Sequence, residues 1–225
     1  MLAPFNLLSV APVTRALIEL IASNKEASNK ENVESLKMNP AFDLPAFDKE
    51  TGELNVIIET PKGRRNKFKY DEKRGLYKLG GVLPAGAVFP FDFGFVPSTI
   101  GGDGDPVDVL VLMDEPAFVG CLVAARLIGV IEAEQTEDGK TARNDRLIAV
   151  AADSRDHHDL ESLEEINKNL REEIEHFFVS YNESKGKRFK PLGQFGPDRA
   201  GELVEEAIKR YRRKNTRAKS RLKKR

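Results

Sequence analysis

Apolar and polar positions follow two different periods along the chain, and the change of period divides it. From Leu54 to Ala152 apolar residues recur at every second position or run in short continuous blocks, as strands require. "LNVIIE" ends at Glu59, "KFKYD" alternates after the basic turn "PKGRRN", and "RGLYKL" follows as its hairpin partner. In "AVFPFDFGFVPST" phenylalanines stand at 89, 91, 93 and 95, the period of a half-buried strand, with Pro and Gly marking bends. "PVDVLVLM" and "DRLIAVAA" read as buried strands, and "GCLVAARLIGVIEAE" as one long, strongly bent strand.

After residue 160 the period lengthens. "SLEEINKNLREEIEHFFVSYN" predicts a helix over 162–182, with Leu163, Ile166, Leu170, Ile174, Phe177, Phe178 and Tyr181 at three- and four-residue spacing. "DRAGELVEEAIKRYRRK" predicts a second, with Asp198 as N-cap and an apolar stripe through Leu203, Ala207 and Tyr211. Near the start an amphipathic helix is expected around 13–23, followed by the polar linker "SNKEASNKEN". Many short strands followed by helices define an α+β fold, a small barrel with flanking helices. The expected organisation is a helical and linker extension over 1–50, a main domain over 51–208 and a basic tail over 209–225.

Composition narrows the function classes. The 225 residues are 40% hydrophobic and 32% charged, a globular composition with surplus charge. The single Cys121 excludes an intramolecular disulfide and a cysteine zinc cluster, and three scattered histidines make no His-rich metal site. The N-terminal "MLAPFNLLSVAPVTRALIELIA" lacks a basic leader and is interrupted by Arg15 and Glu19. It is too short and mixed to span a bilayer, so a cytoplasmic protein is expected. The formal net charge of zero hides an asymmetry: residues 209–225 carry 11 basic residues and no acid, leaving 25 basic against 36 acidic before them. That tail reads as a solvated helix end; the competing reading is an arm for nucleic acid, membrane or a neighbouring subunit. Only Tyr211 interleaves it with an aromatic ring.

The segment "GGDGDPVDVLVL" carries the sharpest chemistry. Asp103, Asp105 and Asp108 lie within six residues, among glycines that permit unusual backbone angles. Carboxylates held close repel one another unless a cation sits among them, and oxygen donors favour a hard one. An EF-hand calcium loop fails on pattern, because Asp108 stands where its glycine belongs. A polar turn capped by aspartates is the plainer alternative. Basic residues that suit a phosphate-bearing substrate follow Glu59 as Lys62, Arg64, Arg65, Lys67 and Lys69, and precede a strand as Arg143 and Arg146. Carboxylate-held metal combined with Lys and Arg is the equipment of phosphoryl transfer.

"IETPKGRRNKFKYD", "VFPFDFGFVPST", "GDGDPVDVLVL" and "RLIAVAAD" stand in the order and spacing of soluble family I inorganic pyrophosphatases. The chain resembles that family over about residues 54–182. The resemblance implies a five-stranded, OB-like closed barrel with flanking helices, a homo-oligomer, and hydrolysis of pyrophosphate to two phosphates with Mg²⁺. It implies Asp103, Asp105, Asp108 and Asp138 as metal ligands and Asp105 as the carboxylate that deprotonates the attacking water. Glu59 would hold metal-bound water, and Lys67, Arg146 and Tyr181 would touch phosphate. Other phosphoanhydrides or phosphoesters remain open as substrates, as does a catalytically impaired binding or scaffold protein.

The departures from the family pattern are specific. An acid is expected where Lys69 stands, an Arg near Gly81, Tyr at Phe89 and Phe93, a metal acid at or beside Asn144, and Lys at Asn182. Lys69 is the candidate to carry the charge that Gly81 lacks.

Overall fold

A computed structural model describes residues 44–71 and 74–222, with side chains to 217. The helix expected near 13–23 and its linker lie outside the described residues. Among the described residues nine strands form: β1 (Leu54–Thr60), β2 (Asn66–Asp71), β3 (Leu76–Val82), β4 (Asp92–Phe95), β5 (Asp108–Leu112), β6 (Leu122–Glu137), β7 (Lys140–Arg143), β8 (Arg146–Ala151) and β9 (Arg188–Phe195). Two α-helices, α1 (Lys168–Glu183) and α2 (Pro197–Leu222), flank β9 in the chain.

β1 pairs with β4 on one side and β6 on the other, so pairing runs β1–β4–β5–β8–β6 and returns to β1. All these pairs are antiparallel except β5 with β8. β7 and β9 extend the sheet from β6, and β2 pairs with β3 as a separate hairpin. Sixteen residues let β6 serve four neighbours. A bulge at Ile128, between Leu127 and Gly129, bends so long a strand, and the register with β9 shifts again between Glu132 and Ala133.

Strands β5 and β8 are apolar at successive positions because both their faces are covered. Val109, Val111, Leu147 and Ala149 pack in one cluster with Ala200, Leu203, Val204, Ala207 and Ile208 of α2. The alternate positions Leu110, Leu112, Ile148 and Val150 pack with Phe89, Phe93, Ile174, Phe178 and Phe189. Two-sided burial is why periodicity alone gives a continuous run there.

Several expected elements are corrected. The helix expected over 162–182 starts at Lys168. Ser162 and Glu165 form a capping box around a single 3-10 turn, Leu163–Glu165; Ile166 then turns extended and Asn167 caps afresh. Asp198 lies in the first turn of α2 behind Pro197, which suits the first helical position. Only Asp92–Phe95 of the phenylalanine segment is strand; Phe89 and Phe91 are buried beside it. β7 and β9 were not expected. Asp138 and Gly139, with φ of 50° and 73°, form the two-residue turn between β6 and β7. β9 contains Pro191 and Gly193, which disguise it; it pairs only with β6, and the two residues flank a bulge at Leu192 in β9 itself.

Phe178 is fully buried between Phe93, Phe177 and Phe189. Phe178→Ala is expected to lower stability by about 3–5 kcal/mol, from lost burial and the cavity left behind; denaturant unfolding monitored by circular dichroism checks it.

Candidate active site

One cavity of about 300 Å³ collects side chains from segments far apart in the chain. Its carboxylates are Glu59 at the end of β1, Asp103 and Asp105 from the β4–β5 loop, and Asp108 opening β5. Its cations are Lys67 and Lys69 of β2, Lys78 of β3, Arg146 opening β8, and Lys185 and Lys187 beyond α1. Tyr70, Tyr181, Gln135, Asn144 and Asn182 complete the polar lining.

Local chain geometry sets these positions. Lys67 and Lys69 alternate in β2 and so share a face. A Cβ on Gly102 would lie 2.6 Å from the Arg143 carbonyl oxygen, so the aspartate loop reaches β7 only because residue 102 has no side chain. Within the loop, the Asp103 carboxylate accepts from the Asp105 N–H at 3.1 Å.

Electrostatics differ from one acid to the next. Burial, followed by the Asp108 charge, raises Asp103. Glu59 is raised to about 7, chiefly by burial; Lys67 opposes the shift and Asp108 adds to it. Glu59 accepts the Tyr70 N–H at 3.3 Å. Asp108 is engaged differently: its Oδ2 lies 2.7 Å from Arg146 Nη1. Arg146, only 3% exposed, also donates to the Asn144 side chain and to the Asp145 carbonyl. Its guanidinium lies 5.2 Å from the Phe178 ring centroid and 5.3 Å from that of Phe189.

Asp103, Asp105, Asp108, Glu59, Lys67, Arg146 and Tyr181 are thus brought together. Asp138 is not: it forms the hairpin turn and does not line the cavity. Its φ above zero suits an Asp-Gly turn, which accounts for it without a metal. Of the other basic candidates, Lys62 lies 5.3 Å over the Phe91 ring, Arg65 donates to the Leu83 carbonyl, and Arg143 pairs with Glu132 and Asp145. Arg64 lines a separate groove. At the position of an expected metal acid, Asn144 presents an amide that donates to Gln135 Oε1 at 3.0 Å. Asp145 beside it is occupied by the Ala133 N–H and Arg143. Phe89 and Phe93 are buried rings in the aromatic cluster, 5.2 Å apart, with Lys67 4.6 Å over Phe93.

Sequence reasoning missed Tyr70, Lys78, Gln135, Lys185 and Lys187. Lys185 alone carried a signal: it falls one helical turn beyond Tyr181. Among the described residues no three acidic, His or Cys side chains are grouped to hold a metal ion as they stand. The donors nevertheless suit one in kind. Asp103 and Asp105 present carboxylate oxygens with no cationic partner within ion-pair distance among the described residues, and burial together with the Asp108 and Asp105 charges disfavours the ionised form of Asp103.

A ring of paired strands with an acidic and basic cavity at its rim defines a class of phosphate-handling hydrolase. The chain belongs to the inorganic pyrophosphatase family, whose model matches residues 56–212. It is 36% identical over 169 residues to an inorganic pyrophosphatase of Synechocystis, covering 75% of this chain and 97% of that one. A relative from Methanosarcina acetivorans is 35% identical over 161 residues, covering 72% and 94%. The crystal structure of the Thermus thermophilus inorganic pyrophosphatase superposes with a TM-score of 0.70 at 34% identity, covering 78% of this chain and 99% of that one. The Helicobacter pylori enzyme gives 0.68 at 32% identity, covering 76% and 99%. These relatives are inorganic diphosphatases, and the mixed sheet with few helices is their fold.

Glu59 makes a pH prediction. Its folded pKa of about 7 lies above the ordinary 4.5, so the folded state holds a proton that the unfolded state releases. Metal-free protein therefore loses stability as pH rises from about 4.5 to 7, by up to about 3 kcal/mol. Glu59→Gln is expected to flatten that decline, measured by denaturant midpoints across the window.

Proposed function

We propose that the chain hydrolyses inorganic pyrophosphate to two phosphates with Mg²⁺. The observation that carries this reading is the mixed charge of one cavity, four carboxylates facing six cationic side chains. Carboxylates alone would suit a cation, and lysines alone an anion. Both together suit a highly charged anion that reacts beside divalent metal.

Asp103, Asp105 and Asp108 are the residues that would hold the metal. When bound, it neutralises phosphate charge and acidifies water. Asp105, exposed and, unlike Asp108, held by no ion pair among the described residues, takes the proton from the attacking water. That water forms a bond to one phosphorus as the bridging P–O bond breaks, and the second phosphate leaves with the bridging oxygen. Lys67 and Arg146 stabilise the charge that moves onto phosphate oxygens. Tyr181, at the end of α1, offers its hydroxyl to the same anion. Glu59, pushed to about 7 by burial, holds a water at the cavity edge by hydrogen bonding. Asp138 has no part in this reading. The circuit of five strand pairs is read as the small barrel that frames the site.

Phosphate release from pyrophosphate by the full chain in millimolar Mg²⁺ tests the proposal. Release is expected to stop on chelation and to fall about 10²- to 10³-fold in Asp105→Asn. Folded protein that releases no phosphate above the blank would overturn it.

A further inference from the structure

Three ammonium groups in the cavity have no carboxylate partner among the described residues. Lys78 is paired with Asp71 at 3.1 Å, Lys187 with Glu137 at 2.7 Å and Arg146 with Asp108 at 2.7 Å. Lys67, Lys69 and Lys185 have no such pair. Lys67 is only 8% exposed, and its close partners are aromatic faces: Phe93 at 4.6 Å and Tyr181 at 5.6 Å. Glu59 offsets this charge only from beyond ion-pair distance, and a buried ammonium so placed gains from an anion that completes it.

Lys185 approaches the same ring. Its ammonium lies 4.1 Å from the Tyr181 centroid and donates to the Tyr181 hydroxyl. Lys69 reaches the cavity across a notch in β3: a Cβ on Gly80 would lie 2.9 Å from Lys69 Cγ. Lys67 of β2 and Lys185 after α1 converge on Tyr181, and Lys69 lines the same cavity. Burial, with Lys67 and Lys69 as like charges, depresses the Lys185 ammonium below its usual range, against the hydrogen bond to Tyr181.

We infer that Lys185, with Lys67 and Lys69, forms a phosphate subsite that binds a phosphoryl group without metal, and that Lys185 is a further substrate-binding residue of this chain. The inference rests on the reading of the cavity as a phosphate site. Lys185 supplies, one turn further along, the cation that Asn182 does not; Asn182 is buried and donates to the Phe178 carbonyl instead. The ligand class is a multiply charged phosphate, which three convergent ammoniums can hold through several oxygens at once.

Calorimetric titration of pyrophosphate into the full chain in excess chelator tests this directly. Binding is expected in the wild type, weakened about 10- to 100-fold in Lys185→Met and within a few-fold of wild type in Lys185→Arg. Lys69→Met is expected to weaken it in the same direction. With Mg²⁺, Lys185→Met is expected to raise KM for pyrophosphate more than it lowers kcat. Unchanged affinity in Lys185→Met and Lys69→Met, or no metal-free binding by the wild type, overturns the inference. Hydrolysis by the wild type is scored separately, so pyrophosphatase activity can stand while the lysine subsite falls. An unliganded thermal midpoint matching wild type in Lys185→Met and Lys69→Met excludes misfolding as the cause of any loss.

Discussion

The ion pair between Asp108 and Arg146 joins the site to the fold. These residues open β5 and β8, the one parallel pair in the circuit, and the register that matches Val109 with Leu147 places them side by side. A guanidinium so little exposed loses most of its hydration, which several kcal/mol of partners must offset. Asp108, the Asn144 side chain, two backbone carbonyls and two aromatic faces do so together. The pair thereby fixes one end of the aspartate loop against the aromatic core. Breaking either partner strands a buried charge, so the geometry of the carboxylates depends on the packing of Phe178 and Phe189.

That dependence runs outward in two directions. On the core side, α1 presses Ile174, Phe178 and Tyr181 onto the sheet, and the same helix end carries Tyr181 and Lys185 into the cavity. Packing and binding therefore share one helical face. On the other side, α2 covers the opposite face of β5 and β8. Its Arg210 donates to the Ile100 carbonyl at 2.7 Å, just before the aspartate loop. Neither helix supplies a carboxylate to the cavity, yet both limit how far the loop that does can move.

What the sequence made legible follows from range. The strands and the aspartate cluster were readable because alternation and close carboxylate spacing are local. The capping of α1 was not, because Ser162 and Asn167 both carry start signals and only packing decides between them. β9 was hidden by Pro191 and Gly193, which flank a bulge that forms only when β9 pairs with the distant strand β6. Asp138 was misplaced because an Asp-Gly hairpin tip and a metal acid look alike in one dimension. Gln135 and Lys187 enter the cavity through strand register and chain reversal, which no local pattern records.

The departures from the family pattern share a physical logic once they are placed in space. Gly81 and Asn182 remove cations, while Lys69 and Lys185 present ammoniums to the same cavity. In β3, Gly81 pairs with Lys67 and the bulge beside it falls at Gly80, the residue over which the Lys69 stem lies. A larger side chain at Gly80 would displace that stem. A guanidinium at 81 would add a further positive charge to a wall that already holds Lys67 and Lys69. The sign change at 69 and the loss of bulk at 81 thus fit together, with Gly80 leaving room for the Lys69 stem. On the subsite proposed for Lys185, Lys67 and Lys69, cations at neighbouring positions would supply the charge, where a residue-by-residue comparison records only losses.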